Sequence, residues 1–257
     1  MPTYRLDVAY DGTDFHGYGI QPGVRTVQGE LEKALARQVG DVVTVAAGRT
    51  DRGVHASGQV VCFSHPDEID ADRVMRSLNH QLGDEIAVLE LRRIDDDFHA
   101  RFSATARAYR YEILNRPVHD PLRSRTTWHV PEPLDVEAMR AATAVFLGGH
   151  DFASFCRKVS GKSTVRQVLW AGWRSADDVL ELSIGANSFC HQMVRSIVMV
   201  LVDVGRGRLD GAQAEAILTA ADRRQGRGVA PPQGLSLVGV GYSGEPIEPP
   251  DWITETP

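Results

Sequence analysis

Lysine is nearly missing from this chain: of 28 basic residues only Lys33, Lys158 and Lys162 are lysine, and the rest are arginine. Arginine's planar fork suits phosphate and base contacts better than a solvated ammonium does. A GC-rich coding sequence gives the same bias, so composition leaves the partner open. Cysteine is scarce too. Cys62, Cys156 and Cys190 stand far apart, odd in number and with no CxxC pair, and are expected as buried reduced thiols of a cytoplasmic protein. The longest apolar run, SIVMVLVDVG, is too short to span a bilayer, so no membrane partner is expected. The first residues, MPTYRLDVAYDG, alternate as a strand and lack the apolar segment of a signal peptide. No GxGxxG follows a strand and no Walker-type loop occurs, so no nucleotide cofactor is indicated. His55, Cys62 and His65 lack ligand spacing, and no metal is expected. Cys190 and His191 are adjacent, so their side chains diverge and do not form a catalytic pair.

What is present is an ordinary globular balance of 42% hydrophobic and 24% charged residues over 257 positions, with a net charge of -6. YRLDVAY reads as a strand, TVQGELEKALARQVG as a helix ending at Gly40, and VVTVAAG and QVVCFSH as strands. DADRVMRSLNHQLG is a helix capped near Asp70 or Asp72, and IAVLELRRI a further strand. The order β-α-β-β-α-β is ferredoxin-like. It recurs: strand TARAYRYEIL, helix LDVEAMRAATAVFLGG from Asp135, and strands TVRQVLWAGWRS and VLELSIGAN. A helix over SFCHQMVRSIVMVLVDVG and a closing strand GLSLVGVGY complete it. The predicted fold is α+β, two ferredoxin-like α/β halves sharing a mainly antiparallel sheet with a central cleft. The halves are residues 1–104, carrying an aspartate loop, and 105–246, completing the cleft; 247–257 is a loose, proline-rich tail.

The loop inside VAAGRTDRGVHASGQVVCF holds more charge than a connection needs. Asp51 alone would read as a turn aspartate. Arg49 and Arg52 beside it favour the ionised carboxylate, and Gly48 and Gly53 permit unusual backbone geometry. A held, ionised carboxylate at a cleft edge suits a nucleophile or a general base. Arg195 interrupts an apolar helix, with His191 and Met199 a turn either side. A buried guanidinium needs a partner, and Asp51 from the other half is the candidate, unless Arg195 reaches solvent along the helix edge. Tyr109 and Tyr111 share a strand face among Arg101, Arg107 and Arg110. Such tyrosines pack a sheet or, at a cleft, stack on a nucleobase.

GRTDRGVHA closely resembles the signature of tRNA pseudouridine synthases of the TruA type, GRTD-small-GVHA. VAYDGTDFHGY, TVQGELEKAL, FHARFSATARAYRYEI, HDFASF, FCHQMVRSIVMVL and APPQGLSLVGV resemble the family's other motifs in order, from roughly Val8 to Val240. The resemblance implies that Asp51 is the catalytic aspartate and that Arg195 is the basic residue paired with it. Tyr109 would stack on the target base, Arg49 would help draw the nucleotide from its stack, and Leu235 would pack in the pocket. His55, within the motif, is expected among the substrate-binding residues. The implied reaction is cofactor-free isomerisation of uridine to pseudouridine at positions 38, 39 and 40 of the tRNA anticodon arm. The implied assembly is a cytoplasmic homodimer spanned by tRNA. The sequence departs from the pattern at Arg52, where a small residue is usual, and at Tyr18, Gly19 and Ile20.

Overall fold

Strand β1 (Thr3–Tyr10) turns Tyr4, Leu6, Val8 and Tyr10 into the core, as its period-two pattern requires. The computed structural model describes residues 1–157, 161 and 163–254, and the chain divides into two units. Unit 1 comprises Met1–Thr105 with Ser236–Pro246; unit 2 comprises Ala106–Leu235 with Ile247–Pro257.

In unit 1 the elements run β1, α1 (Val27–Val39), β2 (Val45–Ala46), β3 (His55–Ser64), α2 (Ala71–Leu82) and β4 (Ile86–Ile94), the order the sequence predicts. Thr26 caps α1 by accepting from Gly29 N, and Asp70 caps α2 by accepting from Arg73 N. The helices bury Val27, Leu31 and Leu35, and Val74, Leu78 and Leu82. β1 pairs antiparallel with both β3 and β4, so the strand before the aspartate loop's neighbourhood is central. The closing strand β10 (Leu235–Gly241) pairs in parallel with β3: Ser236 lies opposite His55, and Leu237 opposite Ala56.

The turn after β10 is tied to β1. Buried Arg5 donates to Asp7 Oδ1 at 2.8 Å and to Glu245 Oε2 at 2.6 Å, and lies 5.2 Å from the Tyr242 ring centroid. Arg5, bonding to Glu245, holds that carboxyl below its ordinary 4.5. A carboxyl whose folded pKa is depressed adds stability above its unfolded value and loses it as pH falls through the folded one. Glu245→Gln is therefore expected to unfold at lower urea than wild type at pH 7. The gap should begin to close near 4.5 and vanish below the depressed value, as paired urea melts would show.

Unit 2 carries β5 (Ala106–Asn115), β6 (Trp128–Val130), α3 (Val136–Thr143), β7 (Gly148–Asp151), β8 (Val165–Ala176), β9 (Val179–Ala186), α4 (Met193–Gly205), α5 (Gly211–Thr219) and α6 (Asp251–Thr254). β9 pairs antiparallel with β5 and β8, β8 with β7, and β6 runs parallel to β5. Both units are thus mixed α/β on mainly antiparallel sheets. The sequence reading missed β6, β7 and α5: the first two are too short to show a period.

Three expectations need correction. The helix expected from Ser188 begins at Met193, because Gln192 takes a left-handed φ of 69° and ends the preceding segment. Cys156 and Cys190 are not separate thiols: a disulfide joins them, with Cα atoms 5.7 Å apart. Folding the turn at Ala153–Phe155 against the approach to α4 closes a separation of 34 residues, with Arg157 N donating to His191 O at 3.0 Å alongside. Cys62 is free and buried. The tail is also not loose where described: α6 sets Ile253 and Trp252 against Gly172, and Arg174 lies 5.7 Å from the Trp252 ring.

Candidate active site

The aspartate loop of unit 1 bridges β2 and β3 and is held from both flanks. On its N-terminal side Gln59, wholly buried on β3, donates to Gly48 O at 2.7 Å and accepts from Gly48 N at 3.4 Å. Thr50 is buried, its Oγ1 lying 2.8 Å from the Tyr10 hydroxyl and its carbonyl accepting from Tyr18 N at 3.1 Å. On the C-terminal side Val54 N donates back to Asp51 O at 3.1 Å, closing a turn in which Gly53 adopts φ 76°. Asp51 itself is half-buried, with Arg49 and Arg52 exposed on either side.

The loop rests on Asp11 and Gly12, just past β1. Gly12 N donates to His55 Nδ1 at 3.1 Å, and Asp11 Oδ1 lies 3.2 Å from the same nitrogen. His55, expected to meet substrate, is buried, and this edge of its ring is engaged within the unit. Arg49 runs along Gly19: a methyl group there would come to 3.4 Å from Arg49 Cδ and Nε. The unusual Tyr18 is buried beside Tyr10, ring centroids 6.1 Å apart, and burial pushes its phenol up. Its hydroxyl has no hydrogen-bond partner among the described residues. Ile20 is exposed.

Unit 2 supplies the other expected residues. Tyr109 is half-buried on β5, its ring edge-on to Phe189 with centroids 5.1 Å apart. Tyr111, on the same strand face, is fully buried and donates to Pro231 O at 2.8 Å. Burial pushes its phenol up, while the charge of Arg195 opposes the shift. Arg195 is half-buried on α4, and its Nε donates to Ala230 O at 2.7 Å. Ala230 N returns a bond to Arg195 O at 3.1 Å, so the 230–234 segment is fastened to the helix. Leu235, buried, opens β10 directly after that segment, and Gly234 lies where a side chain would strike the Tyr111 ring at 2.7 Å.

Unit 1 therefore carries Asp51 and Arg49 in the loop and His55 at the start of β3; unit 2 carries Tyr109 on β5, Arg195 on α4 and Leu235 at the start of β10. Sequence reasoning missed Tyr10, Gly12, Gln59, Phe189 and Ala230 as neighbours of these groups. For Gln59 a signal existed, a polar amide directly before the apolar run at residues 60–63. Among the described residues no group of three or more His, Cys, Asp or Glu is arranged to hold a metal ion, and no helix is long and apolar enough to cross a membrane.

A family profile described as tRNA pseudouridine synthase matches residues 8–103 and 142–243. The chain is 43% identical over 244 residues to tRNA pseudouridine synthase A of Brevibacillus brevis, covering 94% of this chain and 100% of that protein. It is 45% identical over 239 residues to the protein of that name from Halalkalibacterium halodurans, covering 91% and 90%. With the one from Frankia casuarinae it shares 43% over 246 residues, covering 94% and 90%.

Proposed function

The chain belongs to the tRNA pseudouridine synthase family, and on that premise we propose that it acts at positions 38, 39 and 40 of the anticodon stem-loop, with Asp51 as the catalytic group. As a tRNA pseudouridine synthase it is an isomerase of tRNA uridine. The bond from C1′ of the ribose to N1 of uracil breaks, the base turns, and a bond from C1′ to C5 forms. C5 gives up its proton and N1 gains one, so atoms and oxidation state balance and the chemistry calls for no redox partner or ATP.

The observation that carries the assignment of Asp51 is its setting. It is half-buried; Gln59 holds the Gly48 backbone, Tyr18 the Thr50 carbonyl, Tyr10 the Thr50 hydroxyl, and Val54 N the carbonyl of Asp51 itself. A carboxylate held in this way has little orientational freedom to lose on reaching its target. Attack on the base, attack on C1′ and removal of a ribose proton all use the ionised form. Arg195, an arginine in an apolar helix, is the proposed ion-pair partner that maintains that form. Extracting a uridine from its stack costs a few kcal/mol, which contacts to the flipped nucleotide offset. Tyr109, steadied by Phe189, is proposed to stack on the uracil, Arg49 to help draw the nucleotide from its stack, and Leu235 to bound the pocket. His55 is proposed to serve the substrate through the loop it supports. A cytoplasmic homodimer bridged by tRNA completes the proposal, on the strength of the resemblance.

The site assignment is tested on a tRNA transcript with uridine at all three positions, treated with the purified protein and mapped by carbodiimide modification and primer extension. New stops at 38, 39 and 40 alone are expected. Modification confined to other positions would overturn the choice of substrate.

A further inference from the structure

A buried polar chain outside the expected catalytic residues runs through β1, β3 and the aspartate loop. Gln59 holds Gly48 by both its carbonyl and its N–H, at 2.7 and 3.4 Å. The same amide nitrogen lies 3.4 Å from the Tyr10 hydroxyl, which in turn lies 2.8 Å from Thr50 Oγ1. The chain therefore grips the residue before Arg49 and the residue after it, and ends one position short of Asp51. Its anchors are strand residues: Tyr10 closes β1, Gln59 lies within β3, and the two strands pair directly.

Stability alone does not account for this arrangement. An amide, a phenol and a hydroxyl taken out of water add burial costs that apolar side chains of similar size would avoid. A satisfied network brings instead a single geometry, because each donor has one acceptor it can reach. Burial pushes the Tyr10 phenol up to about 12, so it remains neutral and its hydrogen bonds keep their sense through the neutral range. Thr50 is fixed twice, by its hydroxyl and by its carbonyl, which accepts from Tyr18 N at 3.1 Å. The backbone entering Asp51 is thereby determined from two directions.

We propose that Tyr10, Thr50 and Gln59 are positioning residues that aim the Asp51 carboxylate at the flipped nucleoside. The proposal rests on the reading of Asp51 as the catalytic group. It places determinants of catalytic rate in two sheet strands and in the buried loop residue they hold.

Tritium release from C5-labelled uridine in a tRNA transcript, as kcat and KM, tests this with Tyr10→Phe, Thr50→Val and their double variant. Each single change removes one hydroxyl and keeps the shape. Displacing a reacting group by a fraction of an ångström to about 1 Å costs on the order of 10 to 100-fold in rate. The expected result is a kcat loss of that size in each single variant, with KM within about threefold, the protein still folded at the assay temperature, and the melting temperature lowered by roughly 2–12 °C because the partner hydroxyl is left buried and unpaired. Because both hydroxyls make one bond, the double variant should be no slower than the slower single variant. Thr50→Ser, which restores the hydroxyl, should recover most of the rate. Wild-type kcat in folded Tyr10→Phe and Thr50→Val, multiplicative losses in the double variant, or losses that track loss of folded protein would each overturn the proposal. Wild type and Asp51→Asn run alongside: an active Asp51→Asn protein would instead remove the reading of Asp51 on which the proposal stands.

Discussion

Replacing Asp51 with asparagine is expected to abolish pseudouridine formation while leaving fold and tRNA binding intact. The substitution is nearly isosteric and removes only the charge and the nucleophilic or basic oxygen. Losing a central catalytic group of this kind costs on the order of 10^4-fold or more in kcat. The backbone of the turn keeps its own bonds: Val54 N bonds the Asp51 carbonyl, and the flanking residues are held by Gln59, Tyr10 and Tyr18. The melting temperature should therefore stay within a few degrees of wild type. Affinity for tRNA should be equal or slightly tighter at low salt, since a negative charge near phosphates has gone. Single-turnover tritium release, filter binding and a thermal melt decide the matter together. Activity within tenfold of wild type in a folded variant would remove Asp51 from the reaction.

The second large effect belongs to Gly12. A methyl group there would come within 2.0 Å of Val54 O and 2.6 Å of Val54 C, with backbone as the obstacle. No side chain can swing aside. Either the Asp11–Gly12 segment or the Val54 end of the aspartate loop has to move, and the Gly12 N–H bond to His55 at 3.1 Å moves with it. Forcing atoms into a filled site costs roughly 1–3 kcal/mol, occasionally more. For a chain of this size that lowers the melting temperature by roughly 2–12 °C. Because the displaced backbone leads directly to Asp51, Gly12→Ala should also lose on the order of 100-fold in kcat. Gly23→Ala is the control: that glycine has φ 74°, and a methyl group there meets nothing within 4 Å. It carries the strain of a left-handed alanine without the collision, so its kcat should stay within a few fold of wild type. Equal kcat losses in the two variants would mean that contact with Val54 has no special place in catalysis.

Much of this arrangement is legible in the sequence, for identifiable reasons. Alternation in YRLDVAY and the four-residue spacing from Val27 to Leu35 report burial directly, and the structure buries those residues. GRTDRGVHA concentrates charge and glycine in a way that neither strand nor helix explains, so Asp51 and Arg49 stand out. Contacts between distant segments are less visible. Nothing local tells that Gly12 touches Val54, that Tyr10 reaches Thr50, or that Ala230 caps the reach of Arg195. The same limit explains the cysteines: odd count and wide spacing argue for separate thiols, and only the tertiary fold brings Cys156 to Cys190. For the closing strand, a period-two pattern shows that a strand exists and not that it joins β3. Helix α4 begins late for a local reason, since apolar periodicity runs on through Gln192, where the backbone turns left-handed.

The most direct test of the central claim is nucleoside analysis, by chromatography and mass spectrometry, of an unmodified tRNA transcript incubated with the purified protein alone. The account predicts that uridine is lost and a nucleoside of the same mass with the retention of pseudouridine appears in equal amount, with the RNA strand intact. It further predicts that Asp51→Asn, folded and binding the same transcript, yields none. A transcript bound by the wild-type protein but returned with every uridine unchanged, across tRNAs bearing uridine at 38, 39 and 40, would contradict it.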